Sequence, residues 1–172
     1  MLLDEAVALG PILPVDLPML YMWEDDPAIA RFNRPYLPAD FQRQSDFWLN
    51  TSGDRGRVFF AIRARGGPEI IGYVQINAIE PIHRSASLGI LVGRPGDRGK
   101  GYGRQAMTMA IDYCWNHLNL TRLTLRVQAD NGRAVALYRQ LGFETEGVLH
   151  KAEFIHGQWV DMMLMALMKA QR

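Results

Sequence analysis

The sequence has little of what would place a protein in a membrane, outside the cell or on a metal. It has one cysteine, Cys114, which excludes an internal disulfide, and no group of cysteines and histidines has the spacing of a zinc site. No apolar run reaches the roughly 20 residues that cross a bilayer. The first 30 residues contain no lysine or arginine and are interrupted by prolines, which is unlike an export signal. We therefore expect a cytoplasmic protein without metal or membrane segment.

An excess of charge of either sign is also missing. The 172 residues include 19 lysines and arginines and 18 aspartates and glutamates, so the chain has no overall basic field. This balance argues against nucleic acid as a partner and leaves small anionic ligands as candidates. No repeat, low-complexity tract or linker divides the chain, and its length suits one domain. We expect a single domain over residues 1–172.

The first part of the chain predicts a short strand at 7–9 and then two helices. Asp16 is placed to cap a helix over 16–23, and Asp26 to cap a shorter helix that begins at Pro27.

Segments rich in β-formers predict strands further along. A strand at 58–64 is followed by a Gly-Gly turn and a strand at 70–79, which is the pattern of a hairpin. Further strands are predicted at 86–93 and 121–127, and a last hairpin runs from 143 to 168. Strands joined by tight turns form an antiparallel sheet, and helices interrupt the series, so the predicted fold class is α+β.

Two helices are predicted in the second half. In the longer one, from 102 to about 118, apolar residues recur at steps of three and four, so one face is expected to pack on the sheet. That face consists of Ala106, Met109, Ala110, Tyr113, Cys114 and His117. The shorter helix, at 133–141, follows a cap at Asp130 or Asn131 and ends before Gly142.

The strand at 86–93 is joined to the long helix by a turn rich in glycine, Arg98-Gly99-Lys100-Gly101-Tyr102-Gly103. Glycine adopts positive φ and lets the backbone approach a ligand, and the first N–H groups of a helix lack internal partners and attract anions. Four cations, Arg94, Arg98, Lys100 and Arg104, surround the turn, with Asp97 opposing them. The turn is therefore expected to bind phosphate. A P-loop and a dinucleotide-binding fingerprint are both excluded by their spacing.

The pattern Arg98-x-x-Gly101-x-Gly103 after a strand resembles the acyl-coenzyme A signature of the GNAT acetyltransferases. About thirty residues later, Asn131, Ala134, Leu137 and Tyr138 precede Leu141-Gly142-Phe143, and this block is similar to the second motif of that family. The resemblance covers about half of the chain, residues 84–168. It implies the GNAT fold, in which a splayed, mostly antiparallel central sheet carries helices on both faces.

The resemblance implies that acetyl-coenzyme A is the donor substrate. The backbone of 98–104 would hold its pyrophosphate, and the strand before the turn would offer N–H and C=O groups to the pantetheine arm and one N–H to the acetyl carbonyl. The implied coenzyme-binding residues are Ile90, Leu91, Val92, Arg98, Gly99, Lys100, Gly101, Tyr102, Gly103, Arg104 and Asn131. For Asn131, a contact to the coenzyme and a helix cap are equally good interpretations.

Tyr138 is the implied catalytic residue, because amine attack on a thioester expels a thiolate that a phenol can protonate. The general base stays unassigned. Similar proteins often carry a glutamate on the strand before the glycine turn, and Ser87 stands at that position here. Glu80, His83 or a relay through water are alternatives.

The tail at 146–161 resembles bacterial members that acetylate spermidine, amino sugars or the N-terminal amine of ribosomal proteins. The expected acceptor is therefore the primary amine of a small molecule or of a protein N-terminus. Six acidic residues precede residue 30 and would either attract a cation or form a solvated helix face. Either an acceptor wall or core packing is expected of Trp23, Phe32, Pro35, Tyr36, Pro38 and Phe41.

A second hypothesis is a binding protein that senses acyl-coenzyme A or a polyamine without turnover. Ser87 in place of a carboxylate favours the sensor, whereas Tyr138 favours the enzyme. The last hairpin, with Trp159, could also pair in a homodimer.

Overall fold

Eight strands and five helices follow one another in the residues that the computed structural model describes, which are 1–32, 36–38, 40–49 and 55–170. The strands are β1 (Leu2–Leu3), β2 (Val7–Gly10), β3 (Val58–Ala64), β4 (Ile70–Glu80), β5 (Ser85–Val92), β6 (Arg122–Gln128), β7 (Glu144–Ile155) and β8 (Gln158–Met168). The helices are α1 (Leu17–Asp25), α2 (Pro27–Ala30), α3 (Phe41–Leu49), α4 (Tyr102–Asn116) and α5 (Gly132–Gln140). The predicted elements are confirmed with small shifts at their ends, and β1 and α3 have no counterpart among the predictions.

All eight strands belong to one sheet, in the order β1-β2-β3-β4-β5-β6-β8-β7. Neighbouring strands are antiparallel except β5 and β6, which run parallel. A parallel pair requires a long crossover, and α4 with its flanking turns supplies it. The predicted class, α+β with a mostly antiparallel sheet, is confirmed.

Helices cover both faces of the sheet, which produces two hydrophobic cores. Successive side chains of a strand point to opposite faces, and Tyr73 and Val74 of β4 belong to different cores. The core with Val74 is completed by α4 and α5, and the core with Tyr73 by α1 and α3, whose Leu20 and Trp48 are buried. Helices therefore pack on both faces of the sheet near the junction of β5 and β6.

The buried stripe of α4 differs in part from the predicted one. Met107 and Ile111 are buried, whereas His117 is exposed and stacks on the ring of Tyr113, with 5.1 Å between the ring centroids. The helix ends at Asn116, so His117 lies at its C-terminal cap and beyond the last turn that packs on the sheet. No helix in the described residues is long and apolar enough to cross a membrane.

Asp16 does not cap α1 as predicted. Its buried carboxylate accepts the N–H of Leu13 at 2.7 Å and forms an ion pair with Arg63 of β3 at 2.6 Å. The 3-10 turn that precedes α1 points this side chain back toward the sheet. The second cap is confirmed, because Asp26 accepts the N–H of Ala28 at 2.8 Å and Pro27 begins α2.

Candidate active site

The fork between β5 and β6 opens a large cleft. These strands pair only from Ser85 to Ser87, opposite Arg122 to Thr124, and then separate. A cleft of about 700 Å³ lies next to the rest of β5, and the turn after it, α5 and β6 contribute to its walls. The sheet is therefore splayed at the position that the resemblance implied.

Ten of the predicted site residues line this cleft. They are Ile90, Leu91, Val92, Arg98, Gly99, Gly101, Gly103, Arg104, Asn131 and Tyr138. Lys100 and Tyr102 are not in the lining: the Lys100 ammonium lies 3.5 Å from the Asp97 carboxylate and 5.8 Å from the centre of the Tyr102 ring. The fold thus brings together two sequence motifs about thirty residues apart.

The glycine turn has the backbone that its composition predicts. Gly99 and Gly101 have φ of 82° and 83°, in the left-handed region that favours glycine. Gly101 is the N-cap of α4, and the N–H of Gln105 makes the first bond of the helix, to the Gly101 carbonyl. The N–H groups of 102–104 therefore lack partners within the helix and are available to an anion.

Arg98 connects this turn to the end of β5. Its guanidinium donates to the carbonyls of Val92 and Gly93, at 3.1 Å in both cases. Because these bonds use Nε and one Nη, Arg98 fixes the path of the turn in addition to contributing positive charge. Arg104 and Arg133 also line the cleft, and one Nη of Arg133 would lie 3.4 Å from a Cβ built on Gly99.

The backbone of β5 is divided between two edges. The N–H of Gly93 bonds to Ile71 on β4, and in the same register Leu91 is opposite Tyr73. Hydrogen-bonded pairs alternate along an antiparallel ladder, so the N–H and C=O groups of Leu91 point to β4. Those of Ile90 and Val92 point to the open edge and the cleft, where the Val92 carbonyl accepts from Arg98.

Tyr138 reaches the cleft from α5. Its side chain is 7% exposed and packs edge-on against Phe143, with ring centroids 6.0 Å apart. Burial raises the pKa of Tyr138 to about 12, because the phenolate would lose its hydration. The phenol is therefore protonated at neutral pH and can donate a hydrogen bond.

Asn131 caps α5. Its side-chain oxygen accepts the N–H of Ala134 at 3.2 Å, so the predicted helix cap is confirmed. The residue also lines the cleft, and a coenzyme contact of Asn131 stays a prediction.

The other end of the cleft is formed by residues far apart in the sequence. They are Ile29 in α2 and Phe32 just after it, Gln75 and Asn77 on β4, Ser87, Arg126, Glu153 and Met162. The backbone around α2 is held over this end, because Gln128 donates to the Arg31 carbonyl and the His156 ring lies 3.4 Å from the Pro27 carbonyl. Apart from Ser87 and Phe32, the sequence carries no local signal for these residues.

Most of the predicted acceptor wall lies elsewhere. Trp23 is 3% exposed and packs against Gly93, Tyr36 donates to Asp25, and Phe41 packs edge-on against Tyr21. Only Phe32 of that set lines the cleft, Pro38 does not, and Pro35 lies outside the described residues.

The carboxylates of the N-terminal segment are largely engaged within the protein. Glu24 accepts from the Tyr73 hydroxyl at 3.0 Å, while Asp16 and Asp26 have the partners given above. Glu80, the last residue of β4, and His83, on the turn after it, were the alternatives for the base; both are exposed and outside the cleft lining. In the described lining, the carboxylates are Asp97 and Glu153.

Comparison with known proteins agrees with this geometry. A family model described as an acetyltransferase (GNAT) domain matches residues 7–144. The spermidine N(1)-acetyltransferase of Escherichia coli K12 is 32% identical over 168 residues, which cover 96% of this chain and 88% of that protein. Spermidine N-acetyltransferase from Vibrio cholerae, solved in complex with CoA and spermine, superposes with a TM-score of 0.88 at 28% identity, covering 94% of this chain and 95% of that one.

A second structure of the Vibrio cholerae enzyme, described as dodecameric, has a TM-score of 0.80 at 27% identity and covers 94% of this chain and 93% of that one. The matches include the N-terminal half, which the two motifs leave uncovered. The chain belongs to the GNAT family and is an N-acetyltransferase that moves an acetyl group from acetyl-coenzyme A to an amine.

Proposed function

We propose that the acceptor is a polyamine of the spermidine class and that its primary amine attacks the thioester directly in the cleft between β5 and β6. We call the end of the cleft with Ile29, Phe32 and Glu153 the acceptor end, and the end at the glycine turn the donor end. The observation that carries this proposal is the similarity to spermidine acetyltransferases over 96% of the chain, because the similar region includes the segment around Ile29 and Phe32.

The donor end suits the coenzyme. Two glycines with positive φ, the free N–H groups that begin α4 and the side chains of Arg104 and Arg133 form a cradle for a pyrophosphate. The open edge of β5 at Ile90 and Val92 offers backbone groups to the amides of the pantetheine arm. In this arrangement the thioester lies near the fork, within reach of Tyr138.

Tyr138 assists departure of the sulfur. The C–N bond forms as the C–S bond breaks, and the nitrogen loses one proton while the sulfur gains one. The pKa of the phenol is about 12 and that of a thiol is about 8.5, so complete proton transfer from Tyr138 to the thiolate is unfavourable. Tyr138 therefore acts mainly through a hydrogen bond to the sulfur as negative charge develops there.

The backbone N–H of Ile90 is our candidate for stabilising the carbonyl oxygen. It points from the edge of β5 into the cleft, and a fixed donor aimed at a developing oxyanion lowers the barrier without reorganisation. The apolar side chains of Leu88 and Leu137 help to exclude water there.

Coenzyme A release in the presence of acetyl-coenzyme A tests the proposal. Spermidine and spermine are compared with an amino sugar and with a peptide that begins with serine. We expect release with the polyamines, at kcat/KM at least tenfold above the other two. If coenzyme A is released with the peptide or the sugar and not with the polyamines, the polyamine is not the acceptor. If the protein binds the coenzyme and no acceptor causes release, the sensor hypothesis is supported.

We also propose that the protein works in the cytoplasm and as an assembly of several copies. Its cysteine is a free, buried thiol, as suits a reducing compartment. Phe154 and Trp159 expose 52% and 61% of their surface on the last hairpin, where a second copy could cover them. Light scattering of the purified protein measures the number of copies, and a monomer at all concentrations would refute the assembly.

A further inference from the structure

We infer that Glu153 binds an ammonium group of the acceptor other than the amine that attacks, and exchanges its ion pair with Arg126 for it. The inference rests on the proposed function, since it requires a cationic amine as acceptor. Glu153 would then be a specificity-determining residue at the acceptor end. Similar proteins often carry a glutamate at the position of Ser87, which has no charge here.

The position of Glu153 sets it apart from the other carboxylates. Of the two carboxylates in the described lining, Asp97 lies at the glycine turn, paired with Lys100, where the phosphates bind. Glu153 lies with Ser87, Gln75 and Asn77, none of which carries charge. A cation that enters the acceptor end therefore meets one negative side chain among the described residues.

Glu153 is directed to this place by an irregularity of β7. The register with β8 shifts between Leu149 and Glu153, where Lys151 has φ of 49° and donates its N–H to Asp161. After the shift, Glu153 is opposite Val160, on the same face of the sheet as Arg126. The carboxylate thus reaches the cleft from a strand that is otherwise at the outer edge of the sheet.

The ion pair between Glu153 and Arg126 is suited to exchange. It consists of one contact of 3.2 Å, and the two side chains are 24% and 51% exposed. Such pairs contribute little to stability, so an ammonium can replace the guanidinium at small cost. Until then, Arg126 keeps the carboxylate ordered.

A neighbouring pair provides a contrast. Arg122 and Glu146 lie on the same face of the sheet, in a smaller pocket of about 290 Å³ that adjoins the cleft at Ser87 and Arg126. Here both Nη atoms of Arg122 contact the carboxylate, at 2.7 and 2.5 Å. This bidentate geometry occupies both oxygens of Glu146, so we expect that Glu146 does not bind the acceptor.

The test is Glu153→Gln, with Glu146→Gln as the matched control. The first variant should raise the KM for spermidine about tenfold or more, as expected for loss of a charged hydrogen-bond partner. Its affinity for coenzyme A should not change, and kcat should stay within about twofold. Glu146→Gln should leave the KM for spermidine unchanged. Equal KM values for Glu153→Gln and the unchanged protein would overturn the inference.

Salt and Arg126 provide independent readouts. Added salt should raise the KM of the unchanged protein more than that of Glu153→Gln, because one attraction is already absent in the variant. Arg126→Gln should lower the KM by removing the competing cation, and a rise as large as that of Glu153→Gln would overturn the inference by showing that Arg126 contacts the acceptor. If the unchanged protein acetylates no polyamine, the proposed function fails first, and this outcome is distinct from unaltered KM values.

Discussion

Ser87 of β5 and Thr124 of β6 form the last pair before the two strands separate. The Thr124 hydroxyl also donates to the Ala86 carbonyl at 3.3 Å, which fastens the strands at the base of the fork. Beyond this pair, no strand in the described part of the chain pairs with the β5 edge, which can therefore bind an extended ligand.

The glycine turn can be tested with two alanine variants. Gly101→Ala should weaken coenzyme A binding by at least about tenfold, the equivalent of about 1.4 kcal/mol. A Cβ at Gly101 meets no atom of the described residues within 4 Å, so the effect comes from its φ of 83°, which alanine adopts at a cost of about 1–2 kcal/mol. Calorimetric titration with coenzyme A measures the change.

Gly96→Ala is the matched control for that variant. Gly96 lies in the 3-10 helix just before that turn and has no positive φ, and a Cβ there also meets no atom of the described residues within 4 Å, so its substitution should leave affinity unchanged. If both variants bind coenzyme A like the unchanged protein, the phosphate site is not at this turn.

Replacing Tyr138 by phenylalanine separates catalysis from binding. The variant keeps the ring that packs on Phe143 and loses the hydroxyl, so kcat should fall about 10- to 100-fold while the Kd for coenzyme A stays within about twofold. Tyr113→Phe is the control, because that half-buried tyrosine packs on Phe60 away from the cleft. A large loss of coenzyme affinity in Tyr138→Phe would instead identify a structural role.

The same residue makes stability dependent on alkaline pH. Its pKa is about 12 in the folded protein against 10.0 as the ordinary value, so its contribution is present in full below pH 10 and is lost as the pH rises toward 12. From pH 10 to 11, the unchanged protein should lose about 1 kcal/mol more stability than Tyr138→Phe. Urea unfolding at both pH values measures this difference, and parallel losses would contradict the raised pKa.

The donor end was predictable because its signals are local. Positive φ requires glycine at Gly99 and Gly101, and the start of a helix and the second motif follow at fixed distances. The acceptor end was not, since Gln75, Arg126 and Glu153 meet only through strand register and a shift within β7. Helix α3 was also not predicted from the sequence, although its apolar residues are spaced as in an amphipathic helix and Ser45 and Trp48 are buried.

Cys114 should not react with thiol reagents in the folded protein. Its side chain is fully buried, and burial raises the pKa of the thiol to about 12, so almost no thiolate is present at neutral pH. Ellman's reagent should therefore detect one thiol per chain in urea and none without it. Labelling of the native protein within minutes would contradict this burial. The protein thiol would then also add to the signal when released coenzyme A is measured with a thiol reagent.

The buried pair of Asp16 and Arg63 should matter more for stability than an exposed pair. Their side chains are 3% and 11% exposed, so Asp16→Ala leaves a guanidinium without its partner inside the core and should cost about 3–5 kcal/mol. Glu69→Ala breaks the exposed pair with Arg94, whose members are 67% and 42% exposed, and should cost under about 1 kcal/mol. Urea unfolding measures both losses, and similar values for the two variants would show that the Asp16 site is hydrated. Asp16→Ala combined with Arg63→Met should recover part of the loss, because the unpaired charge is removed along with its partner.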